Sequence, residues 1–283
     1  MAPEPLIRDI SDTARWVAYY RAQETDRPDA LFRDPYARRL AGERGEQIAK
    51  AQTFADENAW SFLARTVLFD RFITEAVRGG ADLVVNLAAG LDTRPYRMDL
   101  PKTLRWVEVD LPGILDYKEH ILKAAAPVCA LERVRLDLSD VAARRTLFSR
   151  LAAGAAHAVI VTEGLLIYLE ADAVAALAND LAAAPSFRSW ITDLASPGLV
   201  KMMIARGGDM TAAAGAPFKF APPEGPDFFA RLGWPPVKVS SLLKTAGTLN
   251  RLPFFLKLLS LLPEQQKPAP NRPWSAVIQL EKA

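Results

Sequence analysis

The sequence predicts an α/β protein with a doubly wound, mostly parallel sheet and helices on both faces. After Gly79-Gly80, short apolar runs alternate with helical patterns, which is the order that builds such a sheet. The first part, up to about residue 80, shows helical patterns and no strand pattern. The chain has 283 residues, of which 50% are hydrophobic, so it can bury one large core.

Periodicity and helix breakers place the elements in order along the chain. The predicted early helices are 11–23, 35–41 and 57–78, the alternating strands are 83–87, 104–109, 134–136, 158–162 and 190–194, the helices between them are 111–126, 141–151 and 172–183, and the last strands are 237–243 and 276–280.

The predicted first strand ends abruptly in the small residues Ala88, Ala89 and Gly90, which is typical of a tight turn that a ligand approaches closely. A second strand ends in Asp110, 20 residues after Gly90, the interval of an acid that binds ribose hydroxyls. A dinucleotide motif would need glycines where Ala88 and Thr93 stand. A nucleoside without phosphates, such as S-adenosylmethionine, is therefore favoured. A plain strand-turn-helix with an incidental aspartate is the alternative.

Six stretches in a fixed order carry a resemblance that covers nearly the whole chain. They are 34–37, 64–66, 86–97, 108–112, 137–138 and 162–169. Through them the chain resembles the leucine carboxyl methyltransferase family, and most closely its bacterial branch of S-adenosylmethionine-dependent O-methyltransferases. The resemblance implies a class I methyltransferase fold, Rossmann-like, with an antiparallel edge formed by the last strands. Ala88 departs from the pattern, since many members carry glycine there.

The resemblance also implies which residues hold S-adenosylmethionine. Arg65 would bind the methionyl carboxylate, Gly90 would let the methionyl part lie against the backbone, and Asp110 would accept from the ribose hydroxyls. Asp137 would accept from the adenine amine, Leu138 would cover an apolar face or offer its amide, and Glu163 would face the ammonium and sulfonium. Helix caps for the aspartates and a surface ion pair for Arg65 are the alternatives. Asp92, Thr93 and Arg94 are expected to cap and brace the helix that follows this first turn.

The chemistry of the acceptor is less constrained. The chain has only two histidines, His120 and His157, and both are predicted to lie in surface or structural positions. A carboxylate acceptor is already ionised at neutral pH and needs no base, so their placement favours it over a hydroxyl. Tyr168 and either Tyr19 or Tyr20 are candidates for the acceptor pocket, with core packing as the alternative.

We expect four segments. Residues 1–80 form an N-terminal helical cap, 81–195 the cofactor-binding core, 196–236 a lid rich in methionine and phenylalanine, and 237–283 the remaining strands and helices. The segment 252–262 is predicted to be an amphipathic helix that packs on the core or walls the cap, in preference to a membrane surface.

Composition limits the partners. The formal charge is +2 with interspersed signs, which gives no reason to expect nucleic acid. Cys129 is the single cysteine, which excludes an intrachain disulfide or a multi-cysteine metal site; no metal is expected. The first residues show no secretory signal, and no apolar run is long enough to span a membrane, so we expect a cytoplasmic protein without a membrane partner.

The sequence thus predicts an enzyme of secondary metabolism, a methyltransferase that methylates a carboxylate or hydroxyl of a small or polyketide-like acceptor. The alternatives are methylation of a protein C-terminal carboxylate, a scaffold that binds the cofactor without turnover, and, more distantly, a dehydrogenase.

Overall fold

The computed structural model describes residues 10–51, 58–207, 216–263 and 269–283. Its centre is a seven-stranded sheet of order β3-β2-β1-β4-β5-β7-β6. The first five strands are parallel, and β7 runs antiparallel to both β5 and β6. The strands are β1 (Leu83–Leu87), β2 (Arg105–Asp110), β3 (Ala130–Arg135), β4 (Ala158–Thr162), β5 (Phe187–Ala195), β6 (Pro236–Ser241) and β7 (Ser275–Glu281).

The helices alternate with these strands after an all-helical beginning. They are α1 (Ile10–Thr25), α2 (Ala37–Ala51), α3 (Ala59–Arg78), α4 (Arg94–Arg97), α5 (Pro112–Leu122), α6 (Val141–Ala153), α7 (Ala171–Ala183), α8 (Pro197–Gly207), α9 (Asp227–Ala230), α10 (Leu242–Thr248) and α11 (Phe254–Ser260), with a 3₁₀ turn at Leu166–Tyr168.

Alternating side chains of the strands supply a core to each face of the sheet. In β1, Leu83, Val85 and Leu87 join the cluster that covers α6 and α7, whereas Val84 joins the cluster formed with α3 and α10. The prediction of a doubly wound sheet with helices on both faces, mostly parallel and with an antiparallel edge, is therefore confirmed. The antiparallel strand is β7, which lies one place inside the edge.

Several element boundaries differ from the predictions. Helix α2 does not stop at Ala41 but continues past a kink at Gly42, whose φ of 58° interrupts the helical backbone. Strand β3 begins at Ala130, because its pairing with β2 starts there rather than at Val134. The last two residues of the predicted strand 237–243 are helical instead. Ser241 caps α10 there by accepting from the N–H of Lys244.

The predicted lid divides into two parts. Phe220, Phe228 and Phe229 are buried in the core, where Phe229 meets Trp190 edge-on with ring centroids 5.2 Å apart. This part is a core-packed loop, the alternative structure for such a segment, because its rings fill the space beside β5. Within the predicted segments, Glu57, Gly208, Met210 and Gly215 lie outside the described residues.

The predicted helix in 252–262 is present as α11, but little of it packs on the protein. Leu252 is buried and Leu256 is partly buried, as expected of a packed stripe. The other large apolar side chains of the segment are exposed. None of the helices described is both long and apolar enough to cross a membrane.

A buried ion pair fixes α5 against the sheet. The Lys118 Nζ lies 2.7 Å from Glu108 Oε1, and both side chains are fully buried. Arg133 Nε lies 2.9 Å from the other oxygen of Glu108. Burial raises the pKa of Glu108, while the charges of Lys118 and Arg133 favour the ionised form. The buried carboxylate of Glu108 therefore depends on both Lys118 and Arg133 to remain ionised away from water.

Replacing Lys118 by methionine should lower the free energy of unfolding by about 3 kcal/mol, because it leaves Glu108 buried with Arg133 alone. Urea denaturation at neutral pH measures the change. Lys123→Met is the matched control, since Lys123 is exposed just after the same helix, and it should change stability by less than about 0.5 kcal/mol. Equal effects of the two substitutions would show that Arg133 alone satisfies Glu108.

Candidate functional site

A cavity of about 500 Å³ opens at the carboxyl ends of β1, β2, β4 and β5. Ligands of open α/β sheets gather at this edge, because the loops that follow parallel strands meet there. All six residues predicted to hold the cofactor line the cavity. They are Arg65, Gly90, Asp110, Asp137, Leu138 and Glu163.

The turn after β1 has an unusual backbone. Ala88 and Gly90 have φ angles of 54° and 47°, in the left-handed region that favours glycine. The carboxylate of Asp110 holds this turn, since it accepts from the N–H of Gly90 at 2.6 Å and from that of Leu111 at 2.7 Å. Burial raises the pKa of Asp110, against the opposing effect of these two N–H groups. Asp110 thus braces the turn and also faces the cavity.

Asp137 and Leu138 follow β3 at the outer end of the cavity. The exposed carboxylate of Asp137 accepts from the N–H of Ser139 at 2.8 Å, which lowers its pKa. The residue that caps the next helix is Asp140 and not Asp137. Asp140 accepts from the N–H of Ala143 at 3.0 Å at the start of α6. Asp137 closes a local turn, and its carboxylate is open to solvent.

Glu163, in the turn after β4, lies between two arginines. Its Oε1 is 3.1 Å from Arg65 Nε, and its Oε2 is 2.9 Å from Arg94 Nη1. Gly164 has a φ of 67°, and a Cβ at that position would lie 3.4 Å from Arg65 Nη1. A glycine here lets the guanidinium of Arg65 lie against the turn. These contacts join α3, α4 and the end of β4 at one point.

Asp193 completes this group and was not predicted from the sequence. Its Oδ2 is 3.3 Å from Arg65 Nη1, and its Oδ1 accepts from the N–H of Gly164 at 2.7 Å. Burial raises the pKa of Asp193, against the charge of Arg65. The signal that could have found it is its position near the carboxyl end of β5, the same rule that selected Asp110 and Glu163.

Arg94 connects the cavity to a second set of charges. Its Nε is 2.7 Å from Asp70 Oδ1 and its Nη1 is 2.9 Å from Asp92 Oδ2. Arg97 also binds Asp70, at 2.7 Å. Burial opposes ionisation of Asp92, but Arg94 and Lys118 outweigh it and lower its pKa to about 2. Asp92 and Arg94 brace the start of α4 as expected, and Arg94 additionally reaches Glu163.

The structure separates the three candidate tyrosines. Tyr168 lines the cavity, where its ring lies 5.7 Å from that of Phe218, and burial raises its pKa. Tyr19 and Tyr20 do not reach this cavity but line another one. Tyr20 is covered by Phe62, on which it stacks at 5.3 Å, so its ring packs in the core.

Helix α1 and the predicted lid cover the remaining side of the cavity. Thr13, Trp16 and Val17 contribute from α1, and Met203 and Phe218 contribute from the lid segment. The N–H groups of Lys219 and Phe220 both donate to the carbonyl of Ile167 and hold this part of the segment in place. Of the N-terminal helices, α1 therefore forms a wall, and α3 packs on the sheet while its residues Phe62 and Arg65 also line the cavity.

Neither histidine lines the cavity. His120 is exposed in the last turn of α5. His157 precedes β4, at the amino ends of the parallel strands and opposite the cavity.

This fold is that of an α/β protein of the class I methyltransferase type. Residues 14–182 match the model of the leucine carboxyl methyltransferase family. The chain belongs to that family.

The names of bacterial relatives are consistent with this family. A candidate S-adenosyl-L-methionine-dependent methyltransferase of Frankia alni is 36% identical over 240 residues, which cover 78% of this chain and 81% of that protein. One of Streptomyces coelicolor is 38% identical over 176 residues, 57% of this chain. In that case the chain spans only 60% of the relative's length.

A solved structure confirms the architecture. The crystal structure of a DUF574 family protein from Streptomyces avermitilis matches 96% of this chain and 97% of its own, with a TM-score of 0.61. The sequences are 14% identical, so this likeness concerns the fold alone.

Replacing Ala88 by glycine should stabilise the protein. The substitution removes about 1–2 kcal/mol of strain from the folded state. It also favours the unfolded chain by about 0.5–1 kcal/mol, because glycine has more conformational freedom there, so the free energy of unfolding should rise by about 0.5–1 kcal/mol. The free energy of unfolding in urea measures it. The control is Ala89→Gly, because Ala89 is buried and is not in the left-handed region, so this change should destabilise. A destabilised Ala88→Gly protein would show that the methyl group of Ala88 packs favourably enough to outweigh its strain.

Proposed function

We propose that this protein is a cytoplasmic S-adenosylmethionine-dependent O-methyltransferase that acts on a small acceptor of secondary metabolism. The observation that carries the proposal is the convergence of all six predicted cofactor residues on one cavity. Bound there, S-adenosylmethionine would supply an activated methyl group on a sulfonium. The protein itself would hold and orient the two reactants and keep water away.

The residues present fit this cofactor. The carboxylate of Asp110 is oriented by two backbone N–H groups. A carboxylate offers about four lone-pair positions, so two remain for the vicinal hydroxyls of a ribose. The volume of about 500 Å³ is also that of an ordinary small-molecule site. Leu138 and Leu136 line the cavity beside Asp137, where an adenine ring would need apolar cover.

The cluster of ion pairs around Arg65, Arg94 and Arg97, which reaches from the cavity to Asp70 behind it, also suits a cation. Arg65, Arg94 and Arg97 are joined by ion pairs to four carboxylates, which leaves one negative charge when all are ionised. S-adenosylmethionine has an ammonium, a sulfonium and a carboxylate, and therefore one net positive charge. Arg65 would take the carboxylate of the cofactor, and Glu163 would face its positive groups.

The acceptor would occupy the side of the cavity that is lined by apolar and aromatic side chains. Trp16, Phe62, Tyr168, Met203 and Phe218 lie there, and together they favour an apolar or polyketide-like molecule over an acidic peptide. Since neither histidine lines the cavity, a carboxylate acceptor that needs no base is the first choice.

One observation favours a hydroxyl acceptor as the second choice. Asp193 lines the cavity and its pKa is raised by burial, which are the properties of a general base. Its partner Arg65 Nη1 is at 3.3 Å, a weak hydrogen-bond distance, so the carboxylate could be redirected toward a substrate hydroxyl.

Calorimetric titration with S-adenosylmethionine and S-adenosylhomocysteine tests the cofactor assignment. The wild type should bind both, and Asp110→Asn should raise Kd by at least about tenfold, because hydrogen bonds to a charged group contribute about 1.5–3 kcal/mol.

Asp116→Asn is the matched control, since Asp116 is an exposed acid in α5 that pairs with Arg135. It should leave Kd unchanged. If the wild type binds neither ligand, the fold is present without its cofactor, and the cofactor assignment is wrong.

The pH dependence of turnover tests the acceptor class once an acceptor has been found in a screen of acids and phenols. With a carboxylic acid, kcat should be nearly constant between about pH 6 and 9, because the acceptor is ionised throughout. Asp193→Asn should then leave kcat within about threefold, provided that the Kd of the cofactor is unchanged.

A general base works only above its own pKa. If kcat instead falls toward low pH, and if Asp193→Asn removes that dependence with a loss of about 10²-fold or more in kcat, the acceptor is a hydroxyl and Asp193 is its base.

A further inference from the structure

The surface around α11 has an apolar face that nothing in the described structure covers. It consists of six side chains exposed by half or more, which are Phe254 (83%), Phe255 (68%), Leu258 (66%), Leu259 (50%), Leu261 (79%) and Leu262 (59%). We call these six residues the α11 face. Their exposed area is on the order of 600–800 Å², counting about 150–200 Å² for a fully exposed ring or leucine. Soluble proteins rarely leave so large a contiguous patch open without an interaction.

The geometry of the helix explains why this face is one-sided. At about 100° per residue, Leu256 and Ser260 form the stripe of α11 that faces the protein. The buried Leu252 precedes the helix, before the extended Pro253. Phe254, Phe255, Leu258 and Leu259 fall within one arc of about 140° on the outer side. Lys257 stands between the stripe and this arc, so its ammonium lies at the rim of the α11 face. A lysine at the rim of an apolar helix face can extend its charge toward polar headgroups.

The charge beside the face comes from one lysine. Residues 228–263, between Asp227 and Glu264, include five basic side chains and no acidic one. Arg231, Lys238 and Arg251 are neutralised by acids from elsewhere in the fold. Lys257 is exposed within α11 and has no acidic partner among the residues that the structure describes. The apolar face is thus bordered by one unpaired positive charge.

This charge distinguishes between the two occupants that such a face could have. The area would suit a standard interface of about 800 Å² per partner, so a second copy of the chain is compatible with area alone. A two-fold contact through α11 would, however, bring Lys257 of both copies together, and no acid in the described residues 252–263 could neutralise them. An anionic lipid surface complements both the positive rim and the apolar side chains.

We propose that α11 is a membrane-docking element, which inserts Phe254, Phe255 and the neighbouring leucines at the level of the lipid headgroups and places Lys257 against anionic phosphates. The proposal revises the expectation that this segment packs on the core and that the protein has no membrane partner. It does not depend on methyl transfer, since it concerns a surface outside the cavity.

Vesicle flotation with the full chain tests the proposal. The vesicles are phosphatidylcholine alone or with about 30% phosphatidylglycerol, at low and high salt. The wild type should bind the anionic vesicles better, and more weakly in high salt. The double variant Phe254→Ser/Phe255→Ser should bind them at least about tenfold less, since the two rings supply much of the apolar surface that enters the membrane. Lys257→Glu should weaken binding to anionic but not to neutral vesicles.

Val237→Ser is the matched control, because Val237 is 53% exposed in β6 and lies outside the α11 face. It should bind like the wild type, and thermal unfolding confirms that all variants fold. Absence of vesicle binding by the wild type would overturn the proposal. So would equal binding by the double variant. Sedimentation velocity then shows whether the face instead joins two copies, as a dimer that the double variant dissociates. A titration with S-adenosylmethionine in the absence of vesicles tests the proposed methyltransferase separately.

Discussion

The contact between Glu163 and two arginines is the constraint on which the rest of the site depends. Arg65 comes from α3, Arg94 from the turn after β1, and Glu163 from the turn after β4, so three remote parts of the chain must meet within 3.1 Å. Removing charges from water costs free energy that ion pairs of this kind recover only with good geometry. A cluster of apolar side chains in the same place would stabilise the fold equally well. The retention of this charged cluster at the open end of the sheet is therefore better explained by ligand binding than by stability.

This end of the sheet contains a strained backbone position at Ala88. Ala88, Gly90 and Gly164 all have left-handed conformations, and the first two border the aspartate that braces the turn. Such conformations persist when the surrounding structure determines them, and they cluster at functional sites. Ala88 is the clearest instance, because its side chain carries a penalty that glycine would avoid. The tight turn brings backbone atoms, rather than side chains, to the wall of the cavity.

Much of the cavity lining that the proposed function assigns to the cofactor was predictable, because its geometry follows from local rules. Strands β1 and β4 begin and end where predicted, and residues at their carboxyl ends must share one edge of the sheet. Asp193 obeys the same rule but stands inside a strand without a recognisable motif. Tyr20 could not be assigned from sequence, since helical spacing does not show that Phe62 covers it. The exposure of α11 was equally hidden, because an apolar sequence predicts burial.

The acceptor side depends on long-range packing, and this is the reason that the substrate is harder to derive than the cofactor. Trp16 comes from α1, and Phe218 from a segment held by two hydrogen bonds to the carbonyl of Ile167. Neither position belongs to a motif, and each side chain reaches the cavity only because a distant element fixes its backbone. Such segments can change without disturbing Asp110 or Glu163. Under the proposed function, a single cofactor site would therefore be combined with many acceptor pockets, and the chemistry of the acceptor would be set by the side chains of α1 and of the loop at Phe218 rather than by the strands.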